Sequence, residues 1–181
     1  MVERGSARCV LGNHELNAIG WLTERDGAPG EFLRPHSTKN RTQHERFLAA
    51  VGEGSARHGA WVEWFRTLPV ALDLGGVRVV HAWWADELVA RVFEADPAPL
   101  AGAGLHRALD RRSPLGAAID GLTKGHELAL PEGADHRDKE GHVRTDVRTK
   151  WWLHGAATYR EVAVVEESRR HSIPDTPLPP D

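Results

Sequence analysis

Cysteine is nearly missing from this chain. Cys9 is the only one in 181 residues, so no intrachain disulfide can form, and the usage fits a reducing compartment, with the cytoplasm as the expected location. An excess of charge is missing too. Lys and Arg total 23 against 26 Asp and Glu, for a formal charge of -3, which supplies no basic field to draw a polyanion, so no nucleic-acid partner is expected. No stretch approaches the roughly 18 consecutive apolar residues of a membrane span, and the charged first eight residues have no apolar h-region behind them. Neither a membrane nor export is expected. The P-loop, the Rossmann glycine fingerprint and the Gly-x-Ser-x-Gly elbow are all absent, and His126-Glu127 lacks the second histidine of a zinc-protease helix. No internal repeat occurs. Composition leaves the oligomeric state open.

What is present is an ordinary globular balance, 40% hydrophobic and 27% charged, with length for one domain and a core. The chain is organised around Cys9-Val-Leu-Gly-Asn-His-Glu15. A short apolar run, 7–11, ends in Gly12, and Asn13 and His14 follow at once, which reads as a strand breaking into a loop that carries chemistry. By average usage, Gly-Asn-His-Glu arises on the order of once in a few hundred thousand positions. An amide oxygen from Asn13 suits a hard or borderline cation, while a free His14 imidazole can protonate a leaving oxygen.

Downstream, 16–22 reads as one or two helical turns and 23–37 as a loop rich in Gly, Pro and charge. Ser37 is a candidate N-cap for a helix to Val51, and Ser55 for a second carrying Trp61, Trp64, Phe65 and Leu68 at helical spacing, ended by Pro69. Runs 70–74 and 77–81 flank Gly75-Gly76, the composition of a tight hairpin that delivers His81 at its end. Residues 86–93 and 105–122 look helical, the latter interrupted at Ser113-Pro114. From 128 to 152 the pattern becomes short alternating runs around the polar turn at 138–141, 159–165 reads as another strand, and 173–181 is a proline-rich extended tail.

Gly12-Asn13-His14-Glu15 followed by the strand-terminal His81 resembles two of the five sequence blocks of the calcineurin-like metallophosphoesterases, with Glu15 in the fourth position as in the serine/threonine phosphatase and dinucleoside tetraphosphatase branch. The resemblance implies an α/β fold, a partial two-sheet sandwich with a mixed sheet and flanking helices, over 1–172, with 84–125 as a helical cap or insertion and 173–181 as the tail. It implies a hydrolase acting on a phosphate ester, with Asn13 and His81 as ligands of one metal and His14 as general acid or transition-state contact. Mn, Fe, Zn or Ni are all compatible with such ligands. The family holds two cations bridged by a carboxylate. Its Asp-x-His and Gly-Asp-x-x-Asp blocks would lie upstream, but only eleven residues precede Gly12 and none is Asp or His. Its Gly-His-x-His type block has no counterpart after Tyr159. The expectation is therefore a domain truncated at both ends, lacking its first and last motif-bearing strands, with at most one cation well held and little or no hydrolysis.

Other residues receive weaker roles. Arg34 leads a basic cluster with His36, Lys39 and Arg41, and its guanidinium fork suits phosphoryl oxygens; His36 is also a conceivable third ligand for a single metal. Glu15 orients the motif, Cys9 is buried filler, and Trp83-Trp84 either flank the pocket or pack the core. His136, Asp138, Glu140 and His142 surround a turn whose ordinary reading is a solvated hairpin loop. A second functional reading is a non-catalytic remnant whose seven tryptophans form a binding or assembly surface.

Overall fold

The computed structural model describes residues 1–2, 4–95, 98–102 and 104–179. It divides into two units, Met1–Lys124 and Gly125–Asp181. The secondary structure is mixed α and β, and every sheet among the described residues is an antiparallel pair of strands. The larger mixed sheet implied by the resemblance is not formed by them, because each short strand finds one partner only. No helix among them is long and apolar enough to cross a membrane.

The first unit opens with α1 (Asn13–Leu22), then β1 (Glu24–Arg25) and β2 (Ala28–Phe32), α2 (Thr38–Val51), α3 (Ala56–Arg66), β3 (Ala71–Asp73), β4 (Arg78–Val80), α4 (Asp86–Ala95), α5 (Leu105–Leu109) and α6 (Pro114–Lys124). Two N-caps follow directly from serine chemistry: the Ser37 hydroxyl accepts from the Asn40 N–H and the Ser55 hydroxyl from the His58 N–H, each satisfying a donor that the helix start leaves over. The β3–β4 hairpin pairs Ala71 with Val80, and Gly75 takes the turn at a φ of 76° that a side chain would resist. Residues 7–11 form no strand. Their one backbone tie to this hairpin is the Leu11 N–H donated to the Pro69 carbonyl at 2.8 Å.

The core of this unit gathers Leu11 and Ile19 at the α1 end, Val62 and Phe65 from α3, Val92 from α4, and Ile119 and Leu122 from α6. Residues 84–125, expected as a cap or insertion, thus contribute fully buried side chains to the same core as the motif helix: Ile119 and Leu122 are both at 0% exposure. The apolar stripe of α6 explains this, since Leu115, Ala118, Ile119 and Leu122 fall on one face at helical spacing.

The second unit has β5 (Glu127–Ala129) paired with β8 (Asp146–Arg148), β6 (His136–Arg137) paired with β7 (Val143–Arg144), the single-turn helix α7 (Tyr159–Val162) and a 3-10 turn over Glu167–Ser172. Residues 159–165, which alternate like a strand, begin as a helical turn instead. The Thr158 hydroxyl accepts from the Glu161 N–H while the Glu161 carboxylate accepts from the Thr158 N–H, a capping box that outweighs β propensity. The proline-rich end is anchored at Ile173, while Asp175, Thr176, Pro177 and Pro179 stay exposed. Ile173 is at 0% exposure in a cluster with Leu130, Val147 and Tyr159, and backbone bonds link Tyr159 to Thr176 and Leu178 to Ala157. Pro180 and Asp181, the end of the expected tail, lie outside the described residues.

Candidate functional site

The Gly-Asn-His-Glu motif sits on the first turn of a helix, not in a loop. Gly12 is the N-cap in extended conformation, and Glu15 reaches back so that its Oε2 accepts the Gly12 N–H at 3.1 Å. This closes the turn and places a carboxylate at the positive end of the helix dipole.

Two backbone ties bring His81 to this turn. Leu11 is bonded to Pro69, just before β3, and β3 places Ala71 opposite Val80, so the residue after Val80 emerges beside Gly12. On the far side, the N–H groups of Ala82 and Trp83 both donate to the Leu122 carbonyl at the end of α6, at 3.1 and 3.4 Å. The result is a side-chain contact across 68 positions of sequence: His81 Nε2 stands 3.2 Å from Asn13 Oδ1. Asn13 is half-buried and His81 exposed. Gly12 makes room, because a Cβ built there would lie 3.0 Å from the His81 ring and 2.6 Å from the Glu15 carboxylate.

The chemistry of the pair suits a cation. An amide oxygen and an imidazole nitrogen form a mixed O/N donor set for a borderline divalent metal, and 3.2 Å is close to the spacing of two adjacent ligands each about 2.1 Å from one ion. In the protein alone, an Nε2–H donating to the amide oxygen satisfies the same geometry. Among the described residues, the sole group of three or more His, Cys, Asp or Glu side chains within reach of one ion is Asp138, Glu140 and His142, and His81 is not part of it. By itself the pair supplies two of the four ligands of a tetrahedral site.

No protein-family model matches the chain, and neither does any curated protein or solved structure.

His14 is one residue on and faces elsewhere. Successive helix positions turn by about 100°, and His14, exposed, lines a cleft of about 300 Å³ with Gln43, His44, Arg46, Phe47 and Phe65. His44 in this cleft is 5% exposed and its Nε2 has no partner. Burial, then the neighbouring charges of Arg34, His58 and His14, lower its pKa to about 4 against an opposing pull from Glu53. His58, fully buried behind it, is also lowered, chiefly by burial.

The basic cluster disperses. Arg34 is held by two neutral acceptors, Asn17 Oδ1 at 2.6 Å and Gln43 Oε1 at 2.9 Å, and burial lowers its pKa. His36 is stacked between Trp21 and Phe32, at 3.8 and 4.2 Å between ring centroids, and its Nε2 meets the Trp21 carbonyl at 2.9 Å. That environment holds it as a packing residue. Arg41 makes a bidentate pair with Glu53 at 2.8 and 3.0 Å, and Lys39 is exposed on α2. Trp84 donates its indole N–H to Asp86 at 2.8 Å with Arg78 over its ring. Cys9 packs against the core.

In the second unit, the Asp138 group is a satisfied turn. Asp138 Oδ1 accepts from the N–H groups of Glu140 and His142, and Oδ2 accepts from Arg144. Burial pulls its pKa up, but these bonds outweigh burial and hold the carboxyl well below the usual range. His136 Nε2 meets the Asp146 carbonyl at 3.0 Å.

The signals that sequence reading passes over are in α6. Asp120 and Lys124 at i and i+4, with Arg111 just before the helix, converge on one cleft with Arg34.

Proposed function

We propose that the chain belongs to a metal-dependent phosphoesterase of the calcineurin-like type, with Asn13 and His81 as ligands to a divalent cation and His14 as the proton donor to the leaving oxygen. One observation carries this reading: the amide of Asn13 and the imidazole of His81 meet at 3.2 Å although far apart in sequence, beside the glycine and glutamate that complete the motif. A bound cation would supply a Lewis acid for the phosphoryl oxygen and an activated water. The protein's own part is to hold the two ligands on rigid elements, the helix start and the strand end, and to keep His14 exposed at the same helix terminus. His14 lines a cleft that neither ligand lines, so the ester that it protonates would lie across the N-terminus of α1, where a phosphate is also favoured by the helix dipole.

Two protein ligands hold a cation weakly. Titrating the chelator-treated protein with Mn²⁺ or Zn²⁺ should show one weak equivalent that disappears in Asn13→Ala and in His81→Ala and persists in Asp138→Ala. Turnover of p-nitrophenyl phosphate should be slight and metal-dependent. Absence of cation binding, or binding indifferent to both ligand substitutions, would refute the assignment.

The second reading, a tryptophan-based binding surface, is supported among the described residues by two exposed tryptophans, Trp61 and the 57% exposed Trp152. Trp61, 40% exposed, and Trp64 line an apolar groove with Ala60 and Arg57. Trp21 is fully buried, so the tryptophans do not share a face.

A further inference from the structure

We propose that the cleft between α1, the loop after β2 and α6 binds a phosphate group, free or carried on a small ester, at a site separate from the Asn13–His81 pair. The cleft has a volume of about 190 Å³ and is lined by Arg34, Arg111, Lys124, Asp120, Asn17 and Asn40 among others. A phosphate displaces on the order of two or three waters of about 30 Å³ each, so it fits with space to spare.

The charge balance points to an anion. Three cations face a single carboxylate: Asp120, 15% exposed, pairs with Arg111 at 2.8 Å and with Lys124. Arg34 has no share in that carboxylate. Its two terminal nitrogens are spent on the neutral oxygens of Asn17 and Gln43, its Nε is buried without a partner, and among the described residues no carboxylate pairs with it. A half-buried guanidinium lacking a counter-charge is costly to the fold, and an oxyanion held by charge-assisted hydrogen bonds from Arg111 and Lys124 would place that counter-charge beside Arg34.

The fold builds this arrangement deliberately close to the helix. The Arg34 N–H donates to the Gly20 carbonyl at 3.0 Å, and Gly20 has no side chain to hold the loop off, since a Cβ there would stand 3.3 Å from the Arg34 Cβ. Asn17, which pins Arg34, is four residues along α1 from Asn13, or about one turn of 5.4 Å pitch. The cleft is thus a neighbour of the metal pair and does not depend on it.

The test is phosphate binding in EDTA, measured by calorimetry on the full chain with inorganic phosphate and with phenyl phosphate. Both the Arg111→Gln and Lys124→Gln proteins should melt as the parent does and bind phosphate about tenfold more weakly, the loss of one charge-assisted bond each. Asp120→Asn should bind more tightly, because it removes the one competing carboxylate. Tighter binding of phenyl phosphate than of phosphate would identify an ester as the occupant; equal or weaker binding would identify the free anion. No binding by the parent chain, or binding that neither glutamine variant weakens, would overturn the proposal.

Discussion

Gly12 and His81 are packed so closely that residue 12 cannot carry a side chain without moving the ring: a Cβ would lie 3.0 Å from both Cε1 and Nδ1 of the imidazole. The glutamate oxygen at 2.6 Å is the end of a flexible chain and can yield, but the ring is set by the strand behind it and by the Leu122 carbonyl beyond. Gly12→Ala should therefore cost about 1 to 2 kcal/mol by overpacking and weaken cation binding by displacing His81 from Asn13. Gly59→Ala is the control. Gly59 is inside α3 with nothing within 4 Å of its added methyl, so the change should stabilise by about 0.5 to 1 kcal/mol. Thermal melts and a metal titration of both proteins read the contrast.

Acid should weaken the first unit in a defined window. His44, with a folded pKa of about 4 set mainly by burial, has an unfolded pKa of about 6.5. Between those values the unfolded chain binds more protons than the folded one, so stability falls as pH falls. The contribution is complete above about pH 6.5 and gone by about pH 4. Allowing for partial solvation of the cleft, His44 accounts for about 2 kcal/mol over this range, and His58 adds in the same direction. Melting temperature should drop by several degrees from pH 6.5 to 4.5, and His44→Leu should flatten the slope while leaving the pH 7 melt little changed. An unchanged slope would remove His44 from the account.

The parts of this fold that are legible in the sequence are local. Ser37 and Ser55 announce their helices because each hydroxyl caps within three residues, and Gly75-Gly76 announces its hairpin because Gly75 takes the turn at positive φ. Residues 23–37 read as loop yet contain the β1–β2 hairpin, whose strand residues are mostly exposed and so show no apolar alternation. Asp26-Gly27 between the strands was the available signal. Residues 7–11 read as a strand from composition, but strands need partners, and only Leu11 has one in Pro69. The meeting of Asn13 and His81 follows from motif order, not from any local rule. The Arg34, Arg111, Lys124 and Asp120 cleft is illegible because it joins α1, a loop and α6, which no spacing in the chain connects.

If the proposed roles hold, substituting His14 should separate hydrolysis from cation binding. It is exposed and lines a cleft with Gln43 and Arg46 that neither Asn13 nor His81 lines. His14→Ala should leave stability within about 0.5 kcal/mol and cation affinity unchanged, while metal-dependent hydrolysis falls by about a hundredfold, the usual scale of a lost general acid. A fall in metal content would instead make His14 a ligand.

Residues 173–178 are a structural element of the second unit, and loosening them should show this. Ile173 is fully buried among Leu130, Val147, Tyr159 and Ala163, and Arg160 fastens the segment by donating to the Ile173 carbonyl at 3.0 Å and pairing with Asp175 at 3.0 Å. The ion pair is exposed and contributes little, so burial of the isoleucine carries the attachment. Ile173→Ala should destabilise this unit by about 2 to 4 kcal/mol, the cost of a cavity in a small core, whereas Asp175→Asn should change it by less than about 1 kcal/mol. Amide exchange resolves the difference: residues 146–149 and 159–163 should lose protection in Ile173→Ala alone, while protection in α1 and α6 of the first unit should be unaltered. Equal protection in the two variants would mean that the tail is a passive strap.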